Sequence, residues 1–334
     1  MLMSEEKRET DALESPTVSI ILPVYNDQET IGQSLRSLMD QSYRNVEIIV
    51  VNDGSTDETR SIVQEVAKDD PRARIADIEH AGTSAAKNSG FNLARGPIVF
   101  FAEGDATYSE DYVLNSVRCL QKDPRMGGVC VLGGIWEVRR TFVTRSIDAE
   151  NQIKHALIHR GKMEPYFAWV FTREALEKAG LYDLNLKQAE DRDLFARVKT
   201  AGFDIGLVEG VHWRHRRFET TWEFFVKGIH RGRNRVQYVV KNGLTKEFAK
   251  GVGGLWVPVG LALISFMVPD VSWVLLLWII GFVGFFYLRL FELGRGSNLG
   301  MRQLLELPLY QIMRYVSLAL GYTYGMFAYL FHAV

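Results

Sequence analysis

The run Gly96-Pro97-Ile98-Val99-Phe100-Phe101-Ala102-Glu103-Gly104-Asp105-Ala106 constrains the fold more than any other stretch of the chain. Ile98 to Phe101 are apolar without alternation, two β-branched and two aromatic, which describes a strand covered on both faces. The strand breaks off into two carboxylates held apart by a glycine. Ligands of open α/β sheets bind beyond the carboxyl ends of strands, and Glu103 and Asp105 there could grip a divalent cation between diphosphate oxygens. Taken alone, the pattern also fits an acidic turn before a helix, with Ser109 as N-cap and Glu110 and Asp111 in its first turn.

The preceding residues repeat one unit. Thr17–Leu22 reads as a strand, left through Pro23-Val24-Tyr25-Asn26-Asp27 into a helix over Gln28–Gln41 with Asn26 or Asp27 as N-cap. Val46–Val51 is a second strand, followed by Asn52-Asp53-Gly54-Ser55-Thr56-Asp57 and a helix over Glu58–Lys68. A third strand near Arg74–Ile78 leads through Gly82-Thr83-Ser84 into a helix reaching Arg95. Strand, turn, helix and strand again is the βαβ pattern of an α/β fold with a mostly parallel sheet and right-handed crossovers. Asp53 at a strand end could bind a base or ribose, or simply close its turn. Lys87 could meet a phosphate, or belong to a tightly packed helix start. The formal net charge of -1 excludes a general polyanion-binding surface, so no nucleic-acid partner is expected. Cys119 and Cys130 have no metal-ligand spacing and read as buried thiols. Residues 1–15 read as a polar tail without the apolar core of a signal peptide.

Together, Pro-Val-Tyr-Asn after the first strand, Val-Val-Asn-Asp-Gly-Ser-Thr-Asp after the second, Ala-Lys-Asn-Ser-Gly in the third crossover and the acidic pair after the next strand resemble the family-2 glycosyltransferases, over about Thr17 to Arg217. The resemblance implies a nucleotide-sugar-binding GT-A fold, Rossmann-like with flanking helices, and an inverting transfer. It implies a UDP- or GDP-sugar donor held by Pro23, Tyr25, Asn26, Asp53, Lys87, Glu103 and Asp105. It also implies Mg²⁺ or Mn²⁺ on Asp105 and Glu103, with His212 or His215 completing the set. The family usually has aspartate at the first acidic position, where this chain has Glu103, and Ala106 stands where a further acid often follows. Glu190-Asp191 opens a helix, and carboxylates there stabilise a first turn. The resemblance makes Asp191 the base that deprotonates the acceptor, with Glu190 orienting acceptor or base. Arg214, Arg216 and Arg217 crowd around the two histidines and suit a leaving diphosphate or an acceptor phosphate. The Gln-x-x-Arg-Trp signature of processive synthases is absent, so one sugar per encounter is expected. His155 and His159 at i and i+4 read as a solvated helix face rather than a metal pair.

The expected GT-A domain ends near residue 222. Residues 223–250 read as a basic amphipathic segment suited to an anionic membrane surface. Residues 251–334 carry three apolar runs, 251–268, 271–288 and 312–333, read as membrane helices. Gly321 and Gly325 have a spacing that lets helices approach, leaving room for oligomers through these helices. Lysine and arginine asymmetry puts the catalytic domain in the cytosol, on an integral membrane protein. A lipid-linked acceptor follows, polyprenyl phosphate or a polyprenyl-linked glycan, as in similar polyprenyl-linked glycan glycosyltransferases. The competing reading is a non-catalytic GT-A-like membrane protein that binds nucleotide sugars or scaffolds a complex.

Overall fold

A computed structural model of the chain describes residues 15–131, 134–136, 141–163, 169–215, 220–243 and 299–332, with separate positions between 256 and 288. The chain divides into two compact units, the first Met1–Ile135, Pro165–Leu184 and Glu190–Arg216, the second Trp136–Glu164, Asn185–Ala189 and Arg217–Val334.

The first unit is built on β1 (Val18–Val24), α1 (Ile31–Met39), β2 (Val46–Asp53), α2 (Thr59–Ala67), β3 (Ala73–Ile78), α3 (Thr83–Leu93) and β4 (Ile98–Phe101). It continues with β5 (Ala106–Tyr108), α4 (Tyr112–Leu120), β6 (Met126–Val131), then β8 (Val170–Thr172), α6 (Arg173–Ala179), α7 (Glu190–Thr200), β9 (Asp204–Val208) and β10 (Trp213–His215). Seven strands form a sheet in the order β3-β2-β1-β4-β8-β6-β9. The β1–β2, β2–β3, β1–β4 and β6–β9 pairs are parallel, whereas β8 runs antiparallel to both neighbours. A smaller sheet has β5 beside β10, and β10 beside β7 (Gly134–Trp136). Successive residues of the central strands point to opposite faces. Ile20, Leu22, Val50 and Phe100 therefore enter one buried cluster, and Ile21, Ile49, Val51 and Phe101 the other. Covering both faces is what an unbroken apolar strand requires, and each fully buried Leu, Ile or Phe contributes about 1.5–3 kcal/mol. Cys119 and Cys130 are free and buried, as expected.

Three local expectations are corrected. The first helix starts at Ile31 rather than Gln28, its cap position being Thr30 rather than Asn26 or Asp27. The intervening residues are drawn to the β2–α2 loop instead: Asp27 N donates to Thr59 Oγ1 (2.7 Å) and Gln28 N to Asp57 Oδ2 (3.2 Å). Glu103 and Asp105 lead into β5 rather than directly into a helix, and Ser109 bridges to His212 instead of capping. The sequence of residues 135–145 reads as an extended or hairpin piece before a helix over Asp148–His159, but the helix α5 (Phe142–His159) already starts at Phe142, because the Thr141 hydroxyl accepts from Thr144 N and caps it.

The second unit contains α5, α8 (Thr221–Asn242) and α9 (Met301–His332). Helices α8 and α9 meet through small residues: a Cβ on Gly232 would strike the Leu318 carbonyl and Gly321, and one on Gly325 would strike Arg233 and Val236. The Gly321-Gly325 spacing thus serves helix packing, with α8 as its partner. Arg314 of α9 reaches Glu150 of α5 at 2.7 Å, and Arg145 reaches Glu306 at 2.6 Å. Among the described residues no helix is long and apolar enough to cross a membrane. The expected span over 312–333 is therefore corrected. Its glycines, tyrosines and Arg314 lower its hydropathy, and they are the residues that α8 and α5 engage. The runs 251–268 and 271–288 lie mostly outside the described residues, and residues 1–14 and 244–250 lie wholly outside them.

The Glu150 ion pair gives a stability prediction. Burial would raise the Glu150 carboxyl, but the Arg314 and Lys154 charges outweigh it and hold it at about 2, against 4.5 in the open chain. A depressed folded-state value means that this contribution is complete above about pH 4.5 and is lost as pH falls toward about 2. Replacing Arg314 by Met leaves the carboxylate facing only Lys154, and urea unfolding at pH 7 is expected to show a loss of about 3 kcal/mol. The gap between wild type and Arg314→Met should narrow as the pH is lowered through that window.

Candidate functional site

Chain pairing, not sequence proximity, assembles the first cluster. β10 runs antiparallel to β5 with His215 opposite Ala106, so His215 meets the acidic turn that precedes β5. Its Nε2 lies 3.1 Å from Glu103 Oε2 and 3.1 Å from Asp105 Oδ1, and its side chain is buried. Ligand atoms of Glu103, Asp105 and His215 all fall within 4.8 Å of one another. The turn is held from both sides: Ser34 Oγ donates to the Glu103 carbonyl (2.9 Å), and Glu103 N donates to Tyr108 Oη (2.8 Å). Gly104 is needed for close approach, since a Cβ there would lie 2.8 Å from Asp27 Oδ2. Asp27 is thus a further acid beside the cluster. Burial pushes it up to about 6 against the opposing Tyr25 N–H, with the Asp105 charge adding to the rise. Two carboxylates and one imidazole offer hard oxygen donors with a single nitrogen, a set that fits Mn²⁺ and accommodates Mg²⁺.

The second cluster surrounds Asp191 at the start of α7. Lys87 Nζ lies 2.8 Å from Asp191 Oδ1, and Tyr182 Oη donates to the same oxygen at 3.0 Å. Lys87 is 3% exposed, with its ammonium 4.4 Å from the Tyr182 ring centroid and 5.6 Å from that of Trp169. The Ala-Lys-Asn-Ser-Gly motif has a physical reading here. Lys87 pairs with Asp191, and Asn88 clamps the Tyr182 backbone through two hydrogen bonds (2.8 and 3.0 Å). Gly90 lets α3 lie on β1, where a Cβ would strike Ile21. Burial would lower the Lys87 pKa, but the Asp191 and Glu190 carboxylates outweigh it and raise it. Burial and the Asp191 charge push Glu190 upward, with Lys87 acting against them. The Glu103 charge contributes to the upward shifts of Lys87, Glu190 and Tyr182, so the two clusters share one electrostatic neighbourhood.

At the ends of β1 and β2, Asp53 is 2% exposed and its carboxylate accepts from Ala81 N (2.8 Å) and Gly82 N (3.0 Å), at the entry to α3. His80 Nδ1 lies 3.0 Å from Asp53 Oδ2, and the His80 ring stacks on Tyr25 with centroids 4.0 Å apart. Tyr25, 44% exposed, follows Pro23 as β1 ends. Asn26 N donates to Ser55 Oγ, and the Asn26 side-chain oxygen accepts from Thr56 N at 2.9 Å. Asn26 (φ 53°) and Ala189 (φ 65°) are the non-glycine residues of left-handed backbone among those described. Each adjoins one of these clusters, and such strain gathers at functional sites.

Of the two candidate histidines, the structure brings His215 to the acids. His212 precedes β10, where its carbonyl accepts from Ser109 N and its own N–H donates to Ser109 Oγ. Arg214 pairs opposite Thr107 and is exposed, and strand alternation turns it to the other face from His215. Arg216 and Arg217 lie outside the described residues. Sequence reading missed His80, Trp169 and Tyr182. Tyr182 stands two residues after the glycine that ends α6, with no periodicity to mark it.

Residues 19–180 match the family model described as Glycosyl transferase family 2. The chain is 33% identical over 192 residues to an uncharacterized glycosyltransferase, EpsJ, of Bacillus subtilis, covering 53% of this chain and 54% of that protein. It is 26% identical over 169 residues to the GalNAc(5)-diNAcBac-PP-undecaprenol beta-1,3-glucosyltransferase of Campylobacter jejuni, covering 48% of this chain and 53% of that protein. The chain thus spans about half the length of these two relatives. The mannosyltransferase PcManGT of Pyrobaculum calidifontis, solved with GDP-Man and Mn²⁺, superposes with a TM-score of 0.56. That likeness covers 99% of this chain and 95% of that one at 18% identity, and it shows a shared GT-A fold.

Proposed function

We propose that this chain, which carries a family-2 glycosyltransferase domain over residues 19–180, is an inverting enzyme that moves one sugar from a UDP- or GDP-sugar to a lipid-linked acceptor. The observation that carries the proposal is the meeting of Glu103, Asp105 and His215 ligand atoms within 4.8 Å of one another, in the same compact unit as an Asp191 fastened by Lys87 at 2.8 Å. Glu103, Asp105 and His215 would hold the divalent cation, Mn²⁺ or Mg²⁺, that would neutralise charge developing on the leaving diphosphate. The Mn²⁺ and GDP-mannose of the Pyrobaculum enzyme support that assignment. Tyr25, Pro23 and Asn26 would border the nucleotide, together with Asp53 at the end of β2. Asp191 takes the proton from an acceptor hydroxyl as its oxygen bonds to the anomeric carbon. The bond to the diphosphate oxygen breaks on the opposite side, and the configuration inverts.

A dedicated base supports a hydroxyl acceptor over a phosphate, which is already ionised. The undecaprenyl-diphosphate-linked glycan named for the Campylobacter relative supports a polyprenyl-linked glycan. Membrane attachment belongs to the same proposal. The described helical positions between 256 and 288 are mostly apolar and exposed, among them Trp273, Leu276, Leu277 and Ile280, and α8 carries exposed Lys227 and Arg233. Such a surface suits an anionic bilayer, with the catalytic unit on its cytosolic side.

The test is thermal unfolding with UDP-, GDP- and dTDP-sugars, each with and without Mn²⁺. One nucleotide class should raise the melting temperature by several degrees at about 100 times its dissociation constant, and only with Mn²⁺. Transfer from that donor to a polyprenyl-linked glycan should follow. Absence of stabilisation by every nucleotide sugar contradicts the proposal.

A further inference from the structure

We propose that Lys87 is a positioning residue for Asp191, fastening one carboxylate oxygen so that the other faces the acceptor, and that it makes no contact with the donor diphosphate. The inference rests on Asp191 being the base of the transfer described above.

The geometry separates Lys87 from the donor. Its ammonium is 2.8 Å from Asp191 Oδ1 and lies against the Tyr182 and Trp169 rings, with 3% of the residue exposed. Reaching a phosphate would break that ion pair and take the buried ammonium away from a part-buried carboxylate that it neutralises. The two donors on Asp191 converge on one atom: Lys87 Nζ and Tyr182 Oη both meet Oδ1. Among the described residues no hydrogen bond reaches Oδ2, so the carboxylate is held by one oxygen and offers the other. Holding a reacting group in a single orientation is itself catalytic, because misplacement by about 1 Å can cost 10²-fold. The other charges facing this group are Glu190 and Glu103, both acidic. Lys87 therefore places a positive charge among these carboxylates, and Asp191 is the one it bonds. Its separation of 104 residues from Asp191 makes the pair a tie between the third crossover and the base helix.

The experiment compares Lys87→Met, Lys87→Arg, Tyr182→Phe and Asp191→Asn with wild type. It uses the nucleotide sugar that stabilises wild type with Mn²⁺. Lys87→Met is expected to lower kcat about 10²-fold while the donor KM and the Mn²⁺-dependent stabilisation by nucleotide stay within about threefold of wild type. Lys87→Arg should recover to within about tenfold of wild type, since a guanidinium can still fasten Oδ1. Tyr182→Phe, which removes one of two donors, should fall between the two lysine variants. The inference is overturned if Lys87→Met raises the donor KM or abolishes nucleotide stabilisation at unchanged kcat, which is the signature of a phosphate contact. It is also overturned if Lys87→Met turns over as wild type while Asp191→Asn is inactive. If Asp191→Asn itself turns over normally, the base assignment fails, and that outcome is distinct from the other two. A variant that unfolds is recognised by its melting temperature without ligand, and Lys87→Arg then decides through its kcat and KM.

Discussion

Asp191→Asn is expected to lower sugar transfer by about 10²- to 10⁴-fold, the range lost when a positioned general base is removed. The amide keeps the shape of the side chain but cannot take a proton from the acceptor. Nucleotide binding should survive, because Asp191 lies outside the Glu103, Asp105 and His215 group. A second consequence separates this variant from a surface change. Lys87 would face a neutral partner in a buried site, with Glu190 and Glu103 as its remaining counter-charges, so a loss of about 1–3 kcal/mol in stability accompanies the loss of activity. Steady-state transfer and urea unfolding on the same preparation check both. Transfer within a few-fold of wild type would remove Asp191 from the chemistry and favour an acceptor that arrives already ionised.

Asp105→Asn is expected to act on the other half of the reaction. An amide oxygen is a weaker ligand than a carboxylate, and the group would keep Glu103 and His215 but lose one negative charge. If the cation supplies about 3–4 kcal/mol of stabilisation to the leaving diphosphate, turnover falls roughly 10²- to 10³-fold. Mn²⁺-dependent stabilisation by nucleotide should fall with it, which Asp191→Asn does not predict. His215→Gln should show the same pattern more weakly, whereas His212→Gln should leave both readouts near wild type, since His212 is tied to Ser109 through its backbone. Titrating Mn²⁺ against nucleotide binding in these three variants checks the assignment. Equal effects of His212→Gln and His215→Gln would break it.

The parts of the fold visible in the sequence are those whose signals are local. The uninterrupted apolar runs of β1, β2 and β4 placed three adjoining strands of the parallel sheet, because full burial on both faces leaves no room for alternation. Strand β8 was not readable as the antiparallel neighbour of β4 and β6, since three residues carry no register signal of their own. The acidic pair and Glu190-Asp191 stood out through strand ends and a helix start. The choice between His212 and His215 did not, because the two are three residues apart and only the pairing of β10 with β5 separates them. Lys87 was visible as a basic residue in a small-residue motif. Its partner lies 104 residues away, so spacing could point to a phosphate but not to Asp191. The run 312–333 failed as a membrane helix for a related reason. The run carries a single charge and so looks apolar, yet its glycines, tyrosines and Arg314 keep its hydropathy low, and α9 uses Gly321, Gly325 and Arg314 to meet α8 and α5. The helix begins at Met301, ahead of the expected run, and carries Pro308 within it.

The measurement closest to the central claim is a crystal structure of the full chain with Mn²⁺ and the stabilising nucleoside diphosphate, with anomalous scattering recorded at the manganese edge. The anomalous peak should sit among Glu103 Oε2, Asp105 Oδ1 and His215 Nε2, with the diphosphate against it and Asp191 Oδ2 open to the same side. A peak held by other residues, or a diphosphate bound by Lys87 with the Asp191 pair broken, would contradict the account.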